Sequence, residues 1–241
     1  MFPIRDHNPS ERTPYVTNAL IFLNVVMFLL TAPWGGNMVG LWEELALYPI
    51  AVTNGAQLWG LVTHMLLHAG IMHLAGNMLF LWIFGDNLED QMGHLPFLGF
   101  YLVCGLAAAG AQIAANPDEW VPMVGASGAI AGVMGGYLLM FPRAKVDVVA
   151  IIIILIKIFT IPAWVVLAVW FGLQLFSGYA MHGGDAGVAY WAHAGGFVAG
   201  LILTVPLFLR RGGGGFWART HGRPPHRPID YTPSRIPQVR R

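Results

Sequence analysis

Ser127, in Gly125-Ala126-Ser127-Gly128, and His193, in Trp191-Ala192-His193, each stand at the start of an apolar segment long enough to enter a bilayer. A hydroxyl held against an imidazole is the nucleophile and base pairing of acyl-transfer chemistry. Placed at one depth in lipid, that pair implies peptide-bond chemistry in a medium that excludes water. A third apolar segment contributes His73 and Asn77, which share a helix face because residues i and i+4 align.

The elements that must hold these side chains follow from composition. Of 241 residues 56% are hydrophobic and 10% charged, against about 25% charged in soluble domains. The chain therefore reads as an all-α, polytopic membrane bundle. Its single cysteine, Cys104, excludes an internal disulfide framework and a cysteine-rich metal site. A net charge of +1 carries no nucleic-acid footprint.

Charge placement sets the topology. No Lys or Arg occurs from Thr13 to Pro142; the basic residues are Arg5 and Arg12, then Arg143, Lys145 and Lys157, then a cluster from Arg210 to Arg241. Cytoplasmic flanks of membrane spans concentrate Lys and Arg, so these groups mark one side. Six spans fit: Val16–Thr31, Ile71–Asp90, Pro96–Ala115, Ser127–Phe141, Ile161–Tyr179 and Tyr190–Leu209. Both termini then lie inside, and every outer connection lacks basic residues. Residues 1–15 form a cytoplasmic segment, 16–209 the membrane domain, and 210–241 a disordered basic tail. That tail anchors topology; contact with anionic membrane lipid is its other reading. The β-branched stretch Val148–Ile158, interrupted by Lys157, is too short to span beside the fifth segment and reads as an interfacial or buried lead-in to it. A seventh span is the alternative, but it would put the tail outside, against the charge rule.

Depth brings the polar residues together. Ser127 precedes Arg143 by sixteen residues and His193 precedes Arg210 by seventeen, about 24 and 25 Å of helix at 1.5 Å per residue. His73 stands seventeen residues before Asp90, the same height. Below Ser127 the helix face carries Ala131 and Gly135, with Gly128, Gly132 and Gly136 as a second small stripe; below His193 come Gly196 and Gly200. Small faces let helices approach closely in lipid, which points the serine at the histidine. Each residue also has a plain structural reading: a helix-capping serine, a histidine satisfying its neighbour, an asparagine joining helices, glycines that merely pack. Jointly those readings weaken, because intramembrane polar groups are costly and tend to be functional.

At these positions the chain resembles the rhomboid family of intramembrane serine proteases, in its bacterial six-span form. His73-x-x-x-Asn77 resembles the second-span motif, Gly125-Ala126-Ser127-Gly128 the nucleophile motif, and Ala192-His193-x-x-Gly196-x-x-x-Gly200 the sixth-span motif. His64 and His68 occur at family-like spacing, and Gly85, Glu89 and Gly93 resemble the turn after span two. The resemblance implies a serine endopeptidase with a Ser127–His193 dyad and no aspartate, acting on single-span membrane proteins near the outer face. It implies an oxyanion site of Asn77, His73 and the Ser127 N–H, with Gly125 and Gly128 allowing close approach and His68 lining a polar indentation. No cofactor or metal is implied. The location implied is the plasma (inner) membrane of a prokaryote.

Further expectations concern access. The connection His182–Gly187 reads as a mobile lid, and Trp164, Trp170 and Phe171 on span five as flanking substrate entry or as lipid-facing belt. Trp34, Trp42, Tyr48 and Trp59 put the first outer loop partly in the interface. Two departures stand out: Trp59 is followed by Gly60 where the family often has arginine, and Ala131 replaces an aromatic that commonly backs the histidine ring. The second predicts a less rigidly held His193. Two other functions remain in view: a non-catalytic relative that binds membrane proteins, and a metal site or transporter built on the histidines. The second lacks the His-Glu-x-x-His spacing of helical zinc proteases.

Overall fold

Apolar runs favour helix wherever backbone groups must be satisfied inside lipid. The computed structural model describes residues 2–8, 10–31, 39–152, 155–180 and 188–225. Six apolar helices occupy the expected ranges: α1 (Tyr15–Thr31), α5 (Ile71–Met92), α6 (His94–Ala115), α7 (Ser127–Met140), α8 (Ala163–Ala180) and α9 (Tyr190–Arg210). Between α1 and α5 lie the short helices α2 (Val39–Leu45), α3 (Pro49–Thr53) and α4 (Gly60–Thr63), then a 3-10 turn at His64–Leu66. Among the described residues α6, α8 and α9 are each long and apolar enough to cross a membrane; Gly60–Leu66 with α5 forms a fourth, bent by 93°. The protein is a multi-pass integral membrane protein built as a helical bundle.

α7 is the axis of the bundle. Eleven of its 14 residues are buried, so it has no face left for lipid. Small residues let the neighbours close on it. A Cβ on Gly196 would strike the Gly128 carbonyl, one on Gly200 the Gly132 carbonyl, and one on Gly135 the Phe197 carbonyl. The α7–α9 seam thus runs along Gly128, Gly132 and Gly135, while Gly136 faces Thr204 and Leu88. Outside this core, Phe22, Leu95, Phe176 and Ile202 are exposed, as lipid-facing side chains should be.

α1 is tied to the core by an anion. Glu89, 1% exposed, accepts from the N–H groups of Val16 and Thr17 at 2.9 and 2.8 Å and from the Thr17 hydroxyl at 2.7 Å. A carboxylate here satisfies orphan donors at a helix N-terminus and meets its positive dipole end. The turn resembling the family's after span two therefore acts as an N-terminal anchor for α1.

Two regions differ from expectation. The stretch 148–158, read as a lead-in to span five, falls on two antiparallel strands, β2 (Lys145–Ile152) and β3 (Leu155–Pro162), and β1 (Phe2–Asp6) adds antiparallel to β2. Its β-branched run suits a pleated surface. Val146 and Val148 are buried, while Asp147 takes hydrogen bonds from the Arg5 guanidinium at 3.0 Å and the Thr160 hydroxyl at 2.6 Å. An isolated hairpin is marginal, and the third strand comes from 140 positions upstream, beyond any local pattern.

The tail differs likewise. Gly214–Thr220, expected within a disordered segment, is helix α10. Gly212 and Gly213, at φ 105° and 54°, turn the chain back. Phe216 then buries against Phe141, and the Trp217 indole N–H donates to the Leu139 carbonyl at 3.0 Å. Residues 226–241 lie outside the described residues.

These contacts gather the basic groups. β1 pairs with β2 just after Arg143, and the Arg143 N–H donates to the Gly222 carbonyl at 2.9 Å. The chain's start, the α7–α8 connection and the segment after α9 therefore share one face of the bundle.

Candidate active site

Ser127 is the first residue of α7, at the end remote from the basic face. The loop before it is pinned twice: Met123 and Leu47 exchange backbone hydrogen bonds at 2.8 and 3.1 Å, and the Gly125 N–H donates to the His64 carbonyl at 2.9 Å. His64 is itself buried, its Nδ1 donating to the Gly60 carbonyl at 2.8 Å. Gly125 sits at φ 124°, a conformation that L side chains rarely adopt, and a Cβ there would lie 2.8 Å from the His73 ring. Glycine is required on both counts.

His193 occupies the first turn of α9. Its Nε2 lies 2.8 Å from the Ser127 Oγ, and its Nδ1 lies 2.7 Å from the Gln174 Oε1 of α8. An amide oxygen can only accept, so Nδ1 carries the proton and the Nε2 lone pair faces the serine hydroxyl. That is the tautomer a general base needs. The Trp170 ring, also from α8, stands 5.8 Å from the imidazole at 37°. Ala131 leaves the expected aromatic position empty, and a different helix supplies a ring.

His73 and Asn77 arrive from α5 on the same wall. The Ala69 N–H makes a long 3.5 Å contact to His73 Nδ1, which leaves Nε2 to carry the proton on the side of Gly125 and Ser127. Asn77 is 7% exposed, and its amide nitrogen has no hydrogen-bond partner among the described residues. Both line a cavity of about 490 Å³ with Ser127, Gly128, Trp170 and His193. Met72, Phe80, Ile130 and Met134 make the rest of its wall largely apolar. Water-sized space thus reaches the hydroxyl within the bundle.

The sequence-selected residues divide here. Ser127, His193, His73, Asn77, Gly125 and Gly128 converge on one cavity. His68 does not face it: the ring is 3% exposed and packs edge-on behind His73 at 5.1 Å. It backs His73 rather than lining the indentation. Among the described residues no group of three His, Cys, Asp or Glu side chains is arranged to hold a metal ion. Trp164 is exposed, whereas Trp170 turns inward and Phe171 stacks on Phe197 at 4.5 Å. The expected lid 182–187 and Trp34 lie outside the described residues. Gln174 escaped the sequence reading, although it is the lone amide of Ala163–Ala180 and an intramembrane amide needs a partner.

Residues 55–210 match the rhomboid domain. The chain is 36% identical over 128 residues to YdcA of Bacillus subtilis (strain 168), covering 53% of this chain and 62% of that one. It is 35% identical over 128 residues to rhomboid protease GluP of the same organism, covering 52% and 24%. It is 42% identical over 87 residues to RHOMBOID-like protein 6, mitochondrial, of Arabidopsis thaliana, covering 36% and 28%. The chain thus spans less than two thirds of the length of each of these relatives. With the domain match covering most of its length, the chain belongs to the rhomboid family.

Proposed function

We propose that the protein is an intramembrane serine endopeptidase that cuts single-span membrane proteins near the outer face of the bilayer, with Ser127 as nucleophile and His193 as general base. The observation that carries this reading is the 2.8 Å approach of Oγ to Nε2 inside a cavity that also holds an unpartnered Asn77 amide. The name of GluP, a protease, is consistent with it.

The chemistry proceeds in two halves. His193 Nε2 takes the Ser127 proton as Oγ attacks the scissile carbonyl. The resulting oxyanion accepts from the Asn77 amide, the His73 Nε2–H and the Ser127 backbone N–H. Preorganised donors in a low-dielectric site stabilise developing charge strongly, and the α7 N-terminus adds its dipole. The imidazolium then protonates the leaving amine and the C–N bond breaks, leaving an acyl ester on Ser127. Water entering the cavity gives a proton to His193, its oxygen attacks the ester, and the serine regains its proton as the acid departs.

Orientation belongs to the same proposal. With the basic face cytoplasmic, six helices cross, both termini are inside, and Ser127 lies beneath the outer surface of the plasma (inner) membrane of a prokaryote. Three basic groups drawn together by β1, β2 and the segment after α9 support this orientation.

A fluorophosphonate probe tests the reading in liposomes, beside cleavage of a model single-span substrate. Expected are a Ser127-dependent adduct and a product band, both lost in Ser127→Ala and His193→Ala and both insensitive to a chelator. Folded wild-type protein that neither labels nor cuts would favour a non-catalytic binder; loss of activity to the chelator would favour a metal site.

A further inference from the structure

We propose that Gln174 is the positioning residue for His193, and that α8, through Gln174 and Trp170, is the helix that sets the orientation of the base. This rests on His193 being the general base of the proposed reaction.

The sequence of α8 makes its one amide conspicuous. AWVVLAVWFGLQLFSGYA is otherwise apolar apart from Ser177 and Tyr179. An amide within lipid is costly unless hydrogen-bonded. Gln174 spends its oxygen on His193 Nδ1 at 2.7 Å. Trp170 precedes it by one turn on the same face, and its ring stands against the same imidazole. Among the described residues, two contacts that define the imidazole plane and its tautomer therefore come from α8, and another is the serine itself.

The direction of the Gln174 bond decides the chemistry. Oxygen toward Nδ1 places the lone pair on Nε2, where it can take a proton from Ser127. The reversed amide would donate to Nδ1 and put a hydrogen on Nε2, leaving no base. Holding a tautomer this way is what the third member of a serine-protease triad does, here without a charge.

α8 is also the least buried of α6, α8 and α9. Only 17% of its apolar window is buried, against 44% in α6 and 33% in α9. Ser127, on the buried α7, cannot follow a movement of α8, whereas the Nδ1 partner must. Displacement of α8 from the bundle consequently releases the base and leaves the nucleophile in place. Competence of the dyad is linked to the seating of this helix.

The test has two readouts. ¹⁵N-histidine spectra of the full chain, assigned with His193→Ala, report which ring nitrogen carries hydrogen. Kinetics compare Gln174→Met, which keeps length but offers only a weak thioether acceptor, with Gln174→Glu, whose carbonyl oxygen can still accept. Expected are an Nδ1–H tautomer in wild type, a mixed population in Gln174→Met, and an unchanged unfolding temperature. Gln174→Met should lower kcat about 10- to 100-fold, less than the roughly 100- to 10,000-fold that general-base catalysis as a whole supplies, because the base is misoriented and not removed, with KM unchanged, and Gln174→Glu should restore most of it. An Nε2–H tautomer in wild type overturns the inference, as does Gln174→Met at wild-type kcat or Gln174→Glu as slow as Gln174→Met. An inactive protein that shows the Nδ1–H tautomer, lost in Gln174→Met, upholds the positioning role and removes the proposed function instead.

Discussion

Gly200 lies directly on the Gly132 carbonyl, where a Cβ would have no room. This contact closes the seam that holds Ser127 and His193 at one height. Gly200→Val should cost about 3 kcal/mol or more, since backbone on both sides cannot yield as a side chain would. Thermal unfolding would fall by about 6–12 °C in a chain of this size. Gly99→Val is the control: nothing lies within 4 Å of its Cβ position, and its unfolding temperature should not drop. Equal behaviour of the two variants would deny the seam its role.

Asn77 offers a cleaner separation of chemistry from folding. Its amide nitrogen bonds no atom of the described residues, so Asn77→Ala removes no hydrogen bond that the structure shows for that nitrogen. The variant should melt near wild type yet lose about 100- to 1000-fold in kcat, the usual effect of deleting one oxyanion donor. Wild-type turnover in Asn77→Ala would take the residue out of that role.

Glu89 acts far from the cavity. Replacing it by alanine strips the N–H groups of Val16 and Thr17 and the Thr17 hydroxyl of their acceptor. Hydrogen bonds to a charged group are worth about 1.5–3 kcal/mol, more when partners are left buried. We expect Glu89→Ala to lower the unfolding temperature and to make the N-terminal segment readily proteolysed, while the surviving folded fraction labels at Ser127 at the normal rate. A variant as protease-resistant as wild type would show that α1 is held by other contacts.

The sheet on the basic face should respond to acid through Asp147. The Thr160 hydroxyl, His7 and Arg5 hold its carboxyl at about 2, below its ordinary 3.8. A carboxylate depressed in the folded state stabilises above its unfolded value and loses that stabilisation as pH falls through the folded one. The stability difference between wild type and Asp147→Asn should therefore be present in full at about pH 5 and shrink between roughly pH 4 and 2. Amide exchange in β1 and β2 reports it. A gap that persists at pH 2 would mean that Asp147 acts through packing alone.

Much of the protein was legible before any coordinates. The six helix ranges follow from apolar length and from basic residues that will not cross a membrane. Ser127, His193, His73 and Asn77 follow from polar groups placed at one height along helices of fixed rise. What only the tertiary structure decided involves contacts between segments distant in sequence. Strand β1 completes a sheet with residues 140 positions away. Phe216 turns a glycine-rich tail into a docked helix. His68 lies behind His73 instead of beside it. Above all, Trp170 and Gln174 take over the histidine that Ala131 leaves unbacked. Periodicity and composition record what each segment does to its own backbone and to lipid. They do not record which face of one helix meets a particular side chain of another, because that is settled by the packing of all the helices at once.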